Sequence, residues 1–193
     1  SSIFGGGGVS DIYVSGRYAY VVGSANDIFA VIDISEPTKP RIASTIIQSS
    51  FLNGAESIKV SGSYAYIAAV GDNRVTVVDI SNPSSPVIAG SVQDVVNLAA
   101  VQSIYVSGRY VYAAANGILT TVDVSNPKVP SVIGSVSDPQ LPNLGDFGQR
   151  RIYVSGRYAY TVGISPASCN CIVVTDISNP SAPRVVASRK SVA

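Results

Sequence analysis

DIYVSGRYAYVVG, residues 11–23, returns as SIKVSGSYAYIAA at 57–69, SIYVSGRYVYAAA at 103–115 and RIYVSGRYAYTVG at 151–163. Aligning the four copies places Ile12, Ile58, Ile104 and Ile152 in register, at spacings of 46, 46 and 48 residues. The match continues past the quoted stretch through Asp33, Asp79, Asp123 and Asp176 to the turns SEPTKP, SNPSSP, SNPKVP and SNPSAP. Self-similarity at this period marks a repeat architecture, in which each copy is one supersecondary unit.

Within a copy the pattern is β throughout. DIYVSG is a short β-branched run closed by Ser-Gly, YAYVVG is a second, FAVIDIS a third, and RIASTII a fourth after the proline-bounded turn. No window sustains the apolar spacing that a helix would require. In the third run Val31 and Asp33 share one face while Ala30, Ile32 and Ile34 share the other, so both faces are apolar apart from the aspartate. A four-stranded sheet that is apolar on both sides has to lie between two others, and repeated sheets achieve this by packing face to face around an axis. The expected fold is all-β: a β-propeller of four four-stranded antiparallel blades, either a closed ring or part of a larger propeller.

The third runs FAVIDIS, VTVVDIS, LTTVDVS and IVVTDIS, preceded by GRYAY-like hairpins and followed by NPSSP-like turns, resemble the LVIVD repeat of bacterial and archaeal surface proteins. The resemblance covers residues 11–190 and implies a propeller that is exported or displayed at the cell surface, with no common chemistry attached. Departures are small: Ser63 stands where the other copies have arginine, the third copy has a short hairpin at Asn116-Gly117, and the fourth a long one. The expected organisation is a leader or linker at 1–10 and a propeller domain at 11–193, with blades at about 11–49, 57–95, 103–138 and 151–191.

Composition narrows the function. Apolar residues make up 46% and mean hydropathy is +0.31, ample material for a core. Thirteen basic against twelve acidic residues give no field for nucleic acid. No apolar run is long enough for a membrane helix, so no transmembrane segment is expected. The chain has no Met, even at position 1, which favours a mature or excised segment.

The repeated residues read as scaffold. Ser-Gly makes a tight turn, the tyrosines and alanine of YAY face opposite sides and interlock between neighbouring blades, and each aspartate before Ser fixes a turn. A ring of four metal-binding or catalytic carboxylates is the functional alternative. An asymmetric ligand, however, needs residues that differ between blades, so function is expected where the copies diverge. They diverge in the hairpins between second and third strands and in the connections QSSFLNGAE (48–56), QDVVNLAAVQ (93–102) and SDPQLPNLGDFGQRR (137–151). In a meander these segments open on one side, and variable loops on a rigid support are a common way to build a binding surface. The candidate contacts are Phe51, Leu52, Asn53, Asp94, Leu144, Asp146, Phe147 and Arg150.

Catalytic signatures are sparse. The absence of His removes Ser-His-Asp and Cys-His catalysis and His-ligated zinc. GGGG at 5–8 does not have the dinucleotide-binding spacing. No cofactor and no metal are implied. Cys169 and Cys171, the two thiols, read as a local disulfide, as free thiols or, least well, as half a metal site.

The leading expectation is a noncatalytic extracellular or cell-surface module that binds a protein or glycan through its variable face. One alternative is a propeller enzyme that acts on polysaccharide through loop carboxylates such as Glu56, Asp94 and Asp146. Another is a self-assembling filament or surface layer, built as a homo-oligomer through the terminal blades. Three forms of closure stay open: a four-bladed ring, a segment of a larger propeller, and two chains making eight blades.

Overall fold

Each copy folds as one antiparallel meander with its strands in chain order. Blade 1 holds β1 (Asp11–Ser15), β2 (Tyr18–Gly23), β3 (Ile28–Asp33) and β4 (Arg41–Ile47). Blade 2 holds β5 (Ala55–Ser61), β6 (Tyr64–Ala69), β7 (Arg74–Asp79) and β8 (Val87–Gln93). Blade 3 holds β9 (Ser103–Ser107), β10 (Tyr110–Ala114), β11 (Ile118–Asp123) and β12 (Ser131–Ser137). Blade 4 holds β13 (Arg150–Ser155), β14 (Tyr158–Ser165), β15 (Cys169–Asp176) and β16 (Arg184–Lys190). The computed structural model describes residues 8–137, 150–165 and 169–190.

The tight turn between the first two strands of every blade needs a left-handed residue, and Gly16, Gly62, Gly108 and Gly156 supply it at φ 57–59°. The third and fourth strands pair with a register shift at the same place in each blade, between Val31 and Ile32 and at its three counterparts. A bulge repeated in this way increases the local twist of the sheet.

Both faces of the internal sheets are buried, as the alternation in the third strand requires. Tyr20, Val22, Phe29 and Val31 on the back of blade 1 meet Ile58, Val60, Ala65 and Ile67 on the front of blade 2. The back of blade 2 (Tyr66, Ala68, Val75, Val77) meets the front of blade 3 (Ile104, Val111, Ala113, Val122). The back of blade 3 (Tyr112, Ala114, Leu119) then meets Ile152, Val154 and Ala159 of blade 4. The first and third seams group a tyrosine of one blade with an alanine of the next, Tyr20 with Ala65 and Tyr112 with Ala159, while the second has Val111 at the alanine's place beside Tyr66. Full burial of side chains such as Phe29 and Ile58 contributes about 1.5–3 kcal/mol apiece.

First strands lie beside first strands, β1 by β5, β5 by β9 and β9 by β13. They form the inner edge, where the rings of Tyr105 and Tyr153 meet edge to face at 5.2 Å. At the outer edge the fourth strands of blades 1, 2 and 3 pack on the proline turn of the next blade. Ser44 Oγ donates to Pro83 O at 2.6 Å, while Gly90 and Gly134 lie so close to the equivalent turns that a Cβ at either would stand 2.5–2.7 Å from a carbonyl oxygen. Four sheets stacked face to face in chain order, first strands innermost, are the blades of a β-propeller.

One departure from the all-β expectation lies in the first connection. Ser49–Leu52 form a single helical turn, with Leu52 N–H donating to Gln48 O at 2.9 Å. One turn is too short to show a helical period in the sequence.

Candidate functional site

Among the described residues, the hairpins between second and third strands of blades 1–3 and the first two connections between blades lie along one rim and are tied to each other there. Gln48 N–H in the first connection donates to Asp27 O at the tip of the β2–β3 hairpin, at 3.2 Å. From the other side, Val70 N–H and Gly71 N–H of the β6–β7 hairpin donate to Gly54 O and Asn53 O of the same connection, at 3.1 and 3.0 Å. The second connection repeats the pattern, with Asp94 N–H on Asn73 O and Asn116 N–H on Ala99 O. Both described connections are thus held between two hairpins.

Side chains reinforce these ties. Asp27 Oδ1 accepts from Gly54 N–H at 3.0 Å, and Asn73 Oδ1 accepts from Ala100 N–H at 2.9 Å. Asp27 and Asn73 both sit in the left-handed region at φ 50°, and Gly117 at the same place in blade 3 has φ 70°. This clamp position escaped the reading by motif, although the residues just before three third strands, Asp, Asn and Gly, are those that tolerate positive φ.

The candidate contacts divide under the structure. Leu52 is corrected: it is 0% exposed and belongs to the core between blades 1 and 2, so it supports the rim from beneath. The helical turn rotates it inward, where an extended loop would have left it outside. Phe51 is half-buried; its carbonyl accepts from Thr76 Oγ1 at 2.6 Å, and the Arg74 guanidinium lies 5.3 Å from its ring centroid. Asn53 Nδ2 donates to Asp72 Oδ1 at 3.3 Å. Asp94 is half-buried, and its carboxylate caps its own turn, accepting from Val96 N–H, Asn97 N–H and Asn97 Nδ2 at 2.8–2.9 Å. The bonds from Asn97 hold its pKa below the usual carboxylate range, so it stays ionised near neutrality. Arg150 opens β13 on the third connection. Leu144, Asp146 and Phe147 lie outside the described residues. Cys171, in β15, is disulfide-bonded. Cys169 shares that strand, in register with Ser165 of β14.

Around Arg74 the rim gathers planar polar groups. Its guanidinium donates to Ser91 Oγ at 2.6 Å and Gln93 Oε1 at 3.3 Å, and Gln93 Nε2 donates to Asp72 O at 2.8 Å. Asp72 Oδ2 and Arg74 Nε have no hydrogen-bond partner among the described residues. Arg74 and Asp72 carry no signal in the sequence, because their types are ordinary for a hairpin. A guanidinium over an aromatic ring, flanked by an amide and a carboxylate, suits recognition of a polar surface. Nothing there pairs a nucleophile with a base, and no three His, Cys, Asp or Glu side chains come together among the described residues.

The invariant aspartates lie on the opposite rim. In all four blades the carboxylate Oδ1 accepts from the backbone N–H of the serine two residues on, at 2.8–2.9 Å. In three blades Oδ2 also pairs with the arginine of the β1–β2-type turn, as Arg17–Asp33, Arg109–Asp123 and Arg157–Asp176 at 2.5–2.6 Å. The same guanidiniums lie over Tyr18, Tyr110 and Tyr158. Blade 2, with Ser63, lacks this pair. The carboxylates are used in holding turns, once per blade, as scaffold elements are.

This fold and these recurring turns define a class, the propellers built from short repeats. The chain belongs to the LVIVD repeat family, whose model matches residues 6–46, 54–94, 100–138 and 149–190. No curated protein matches it by sequence. Among solved structures it is similar to a protein from Lactobacillus plantarum, with TM-score 0.76 and 12% identity over 93% of this chain and 56% of that one. It is also similar to a hypothetical selenium-binding protein from Sulfolobus tokodaii, with TM-score 0.70 and 11% identity over 94% of this chain and 55% of that one. The computationally designed Ika4 protein matches with TM-score 0.63 and 10% identity over 90% of this chain and 94% of that one. The chain thus spans little more than half the length of the two natural proteins, and identities this low carry the fold alone.

Proposed function

We propose that this chain is a noncatalytic interaction module, placed outside the cell or on its surface, that binds a protein or glycan through the rim of hairpins and blade connections. The observation that carries the proposal is the stitching of each described connection between two hairpins, which makes divergent segments into one continuous, pre-formed surface. Phe51, Asn53, Arg74 and Asp94 stand on it beside Asp72 and Gln93. The opposite rim repeats the same Asp-fixed turn in all four blades, varied chiefly by Ser63 in blade 2, and gives a ligand little to distinguish one blade from another.

The test is a panel of bacterial polysaccharides and surface-protein extract probed with the native chain, with Arg74→Ala/Asn53→Ala, and with a chain in which 137–151 is replaced by 94–102. Binding that falls at least tenfold in either variant, with the melting transition retained, supports the rim. Unchanged capture by both variants overturns it. The polysaccharide-cleaving alternative draws no support from Asp94, whose ionised, turn-capping carboxylate is a poor general acid. Turnover of a glycan that is lost in Asp94→Ala/Asp146→Ala, with binding intact, would replace the binding reading with that one.

A further inference from the structure

The rim opposite the divergent segments carries a feature that the holding of turns does not explain. In blades 1, 3 and 4 the residue after the turn glycine is an arginine, and Nη2 of Arg17, Arg109 and Arg157 meets Asp33, Asp123 and Asp176 at 2.5–2.6 Å. Each guanidinium also lies over the ring of the next residue, 5.1–5.4 Å from its centroid. Blade 2 makes the same turn without an arginine. Gly62 has φ 58°, Asp79 Oδ1 accepts from Ser81 N–H at 2.9 Å, and Ile80 N–H donates to Ser63 O at 2.9 Å. The matching bond is 2.8 Å to Arg17 O and Arg157 O and 2.9 Å to Arg109 O. The arginine side chain is therefore dispensable for the turn, and an ion pair with so exposed a member adds little to stability.

What the aspartate and the ring do is orient the guanidinium. The three arginine side chains are 57–60% exposed. A guanidinium carries five N–H donors in a planar fork, so one held by an aspartate on one arm and by an aromatic ring on its face presents its other donors in a fixed plane. Lys39, Arg41, Lys128 and Arg184 are also exposed on this rim, and among the described residues Glu36 is the one carboxylate there that fixes no turn. Blade 2 borrows its cation from blade 3. The bonds from Ser81 hold Asp79 below the usual carboxylate range, and the nearby Lys128 adds to that effect.

We infer that this rim binds a linear acidic polysaccharide, with one anionic group of the polymer at each arginine fork. A ligand that repeats its own charge has no need to tell one blade from another. Guanidinium forks match carboxylate and sulfate groups through paired N–H bonds. A single exposed arginine holds one anion weakly, whereas three on one rim engage a polymer together and their contacts multiply. Single-stranded nucleic acid, another periodic polyanion, stacks its bases on open aromatic rings, and here Tyr18, Tyr110 and Tyr158 already carry guanidiniums.

Calorimetric titration at low salt tests the 193-residue chain against polygalacturonate, dextran sulfate, neutral dextran, monomeric galacturonate and oligothymidylate. The native chain should bind the acidic polysaccharides but not neutral dextran, and the monomer at least about tenfold more weakly. Preference for polygalacturonate marks a carboxylate as the recognised anion, and preference for dextran sulfate marks a sulfate. Arg17→Gln/Arg109→Gln/Arg157→Gln should lose at least about tenfold in affinity while circular dichroism shows the fold retained. Ser63→Arg, which sets a fourth fork beside Asp79, should bind more tightly than the native chain. That gain is one a purely stabilising pair would not produce, and it can be read even if the triple variant fails to fold. Arg74→Ala/Asn53→Ala, on the other rim, should bind these polymers as the native chain does, so that either rim can fail without the other. The inference is overturned if neither acidic polysaccharide binds, if the folded triple variant binds them unchanged, or if Ser63→Arg binds no more tightly. Loss of binding in Arg74→Ala/Asn53→Ala, or tighter binding of oligothymidylate than of both polysaccharides, overturns it equally.

Discussion

Asp33, Asp79, Asp123 and Asp176 show how little of a conserved-looking side chain need be chemistry. The bond from Arg109 holds Asp123 to about 2, and the bonds from Ser178 hold Asp176 to about 2, while Arg17 pushes Asp33 lower still. Folded values below the unfolded carboxylate value of about 3.9 mean that these groups contribute their full stability above that pH and lose it as pH falls through the folded values. Denaturant midpoints should therefore be level near neutrality and drop steeply between about pH 4 and pH 2. In Asp33→Asn/Asp123→Asn/Asp176→Asn the acid slope should flatten and the midpoint at pH 7 should fall. An unchanged slope would assign acid sensitivity to other groups. The turn-fixing role was legible in the sequence from recurrence before Ser and Asn-Pro. The arginine partner was not, since Arg17 and Asp33 lie on different hairpins and meet only when β1–β2 and β2–β3 are folded.

At the scale of elements, the connections are partly core. Leu52→Ala should cost about 2–5 kcal/mol in denaturant unfolding, the range for a fully buried leucine, whereas a surface contact residue would cost almost nothing. Seams between blades set a second limit. The first accommodates the Cβ of Ser44, which hydrogen-bonds Pro83 O, but the second has Gly90 against the carbonyls of Pro127 and Lys128. Gly90→Ala forces backbone to move and should cost about 1–3 kcal/mol, read as a lowered thermal midpoint. Strands and hairpins were readable from apolar alternation and Ser-Gly turns. Which loop residue turned inward was not, because a single helical turn leaves no period, and the glycine of the seam resembles any strand glycine until the neighbouring blade is in place.

Across the whole molecule the seams differ in chemical quality. Between blades 3 and 4, Thr121 Oγ1 and Thr161 Oγ1 are buried and lack hydrogen-bond partners among the described residues. The positions equivalent to Thr121 in blades 1 and 2 are Val31 and Val77, both fully buried. Thr121→Val should therefore raise stability by about 1–2 kcal/mol, by removing an unpaired hydroxyl at nearly constant volume. Native-state hydrogen exchange should slow in β13–β15, and faster exchange there would contradict the account.

The sequence by itself determined the repeat, the four strands of each blade, the two-sided apolar sheets and hence the propeller, because alternation and turn chemistry are local and were written four times. It also placed the divergent segments on one rim, since a meander leaves them no other side. Only the tertiary structure decided which residues of that rim are spent inside the protein. Leu52 belongs to the core, Asp94 to its own turn, and Asp27 and Asn73 to clamps between hairpin and connection. Burial and pairing across blades depend on residues tens of positions apart, which spacing within one copy does not report.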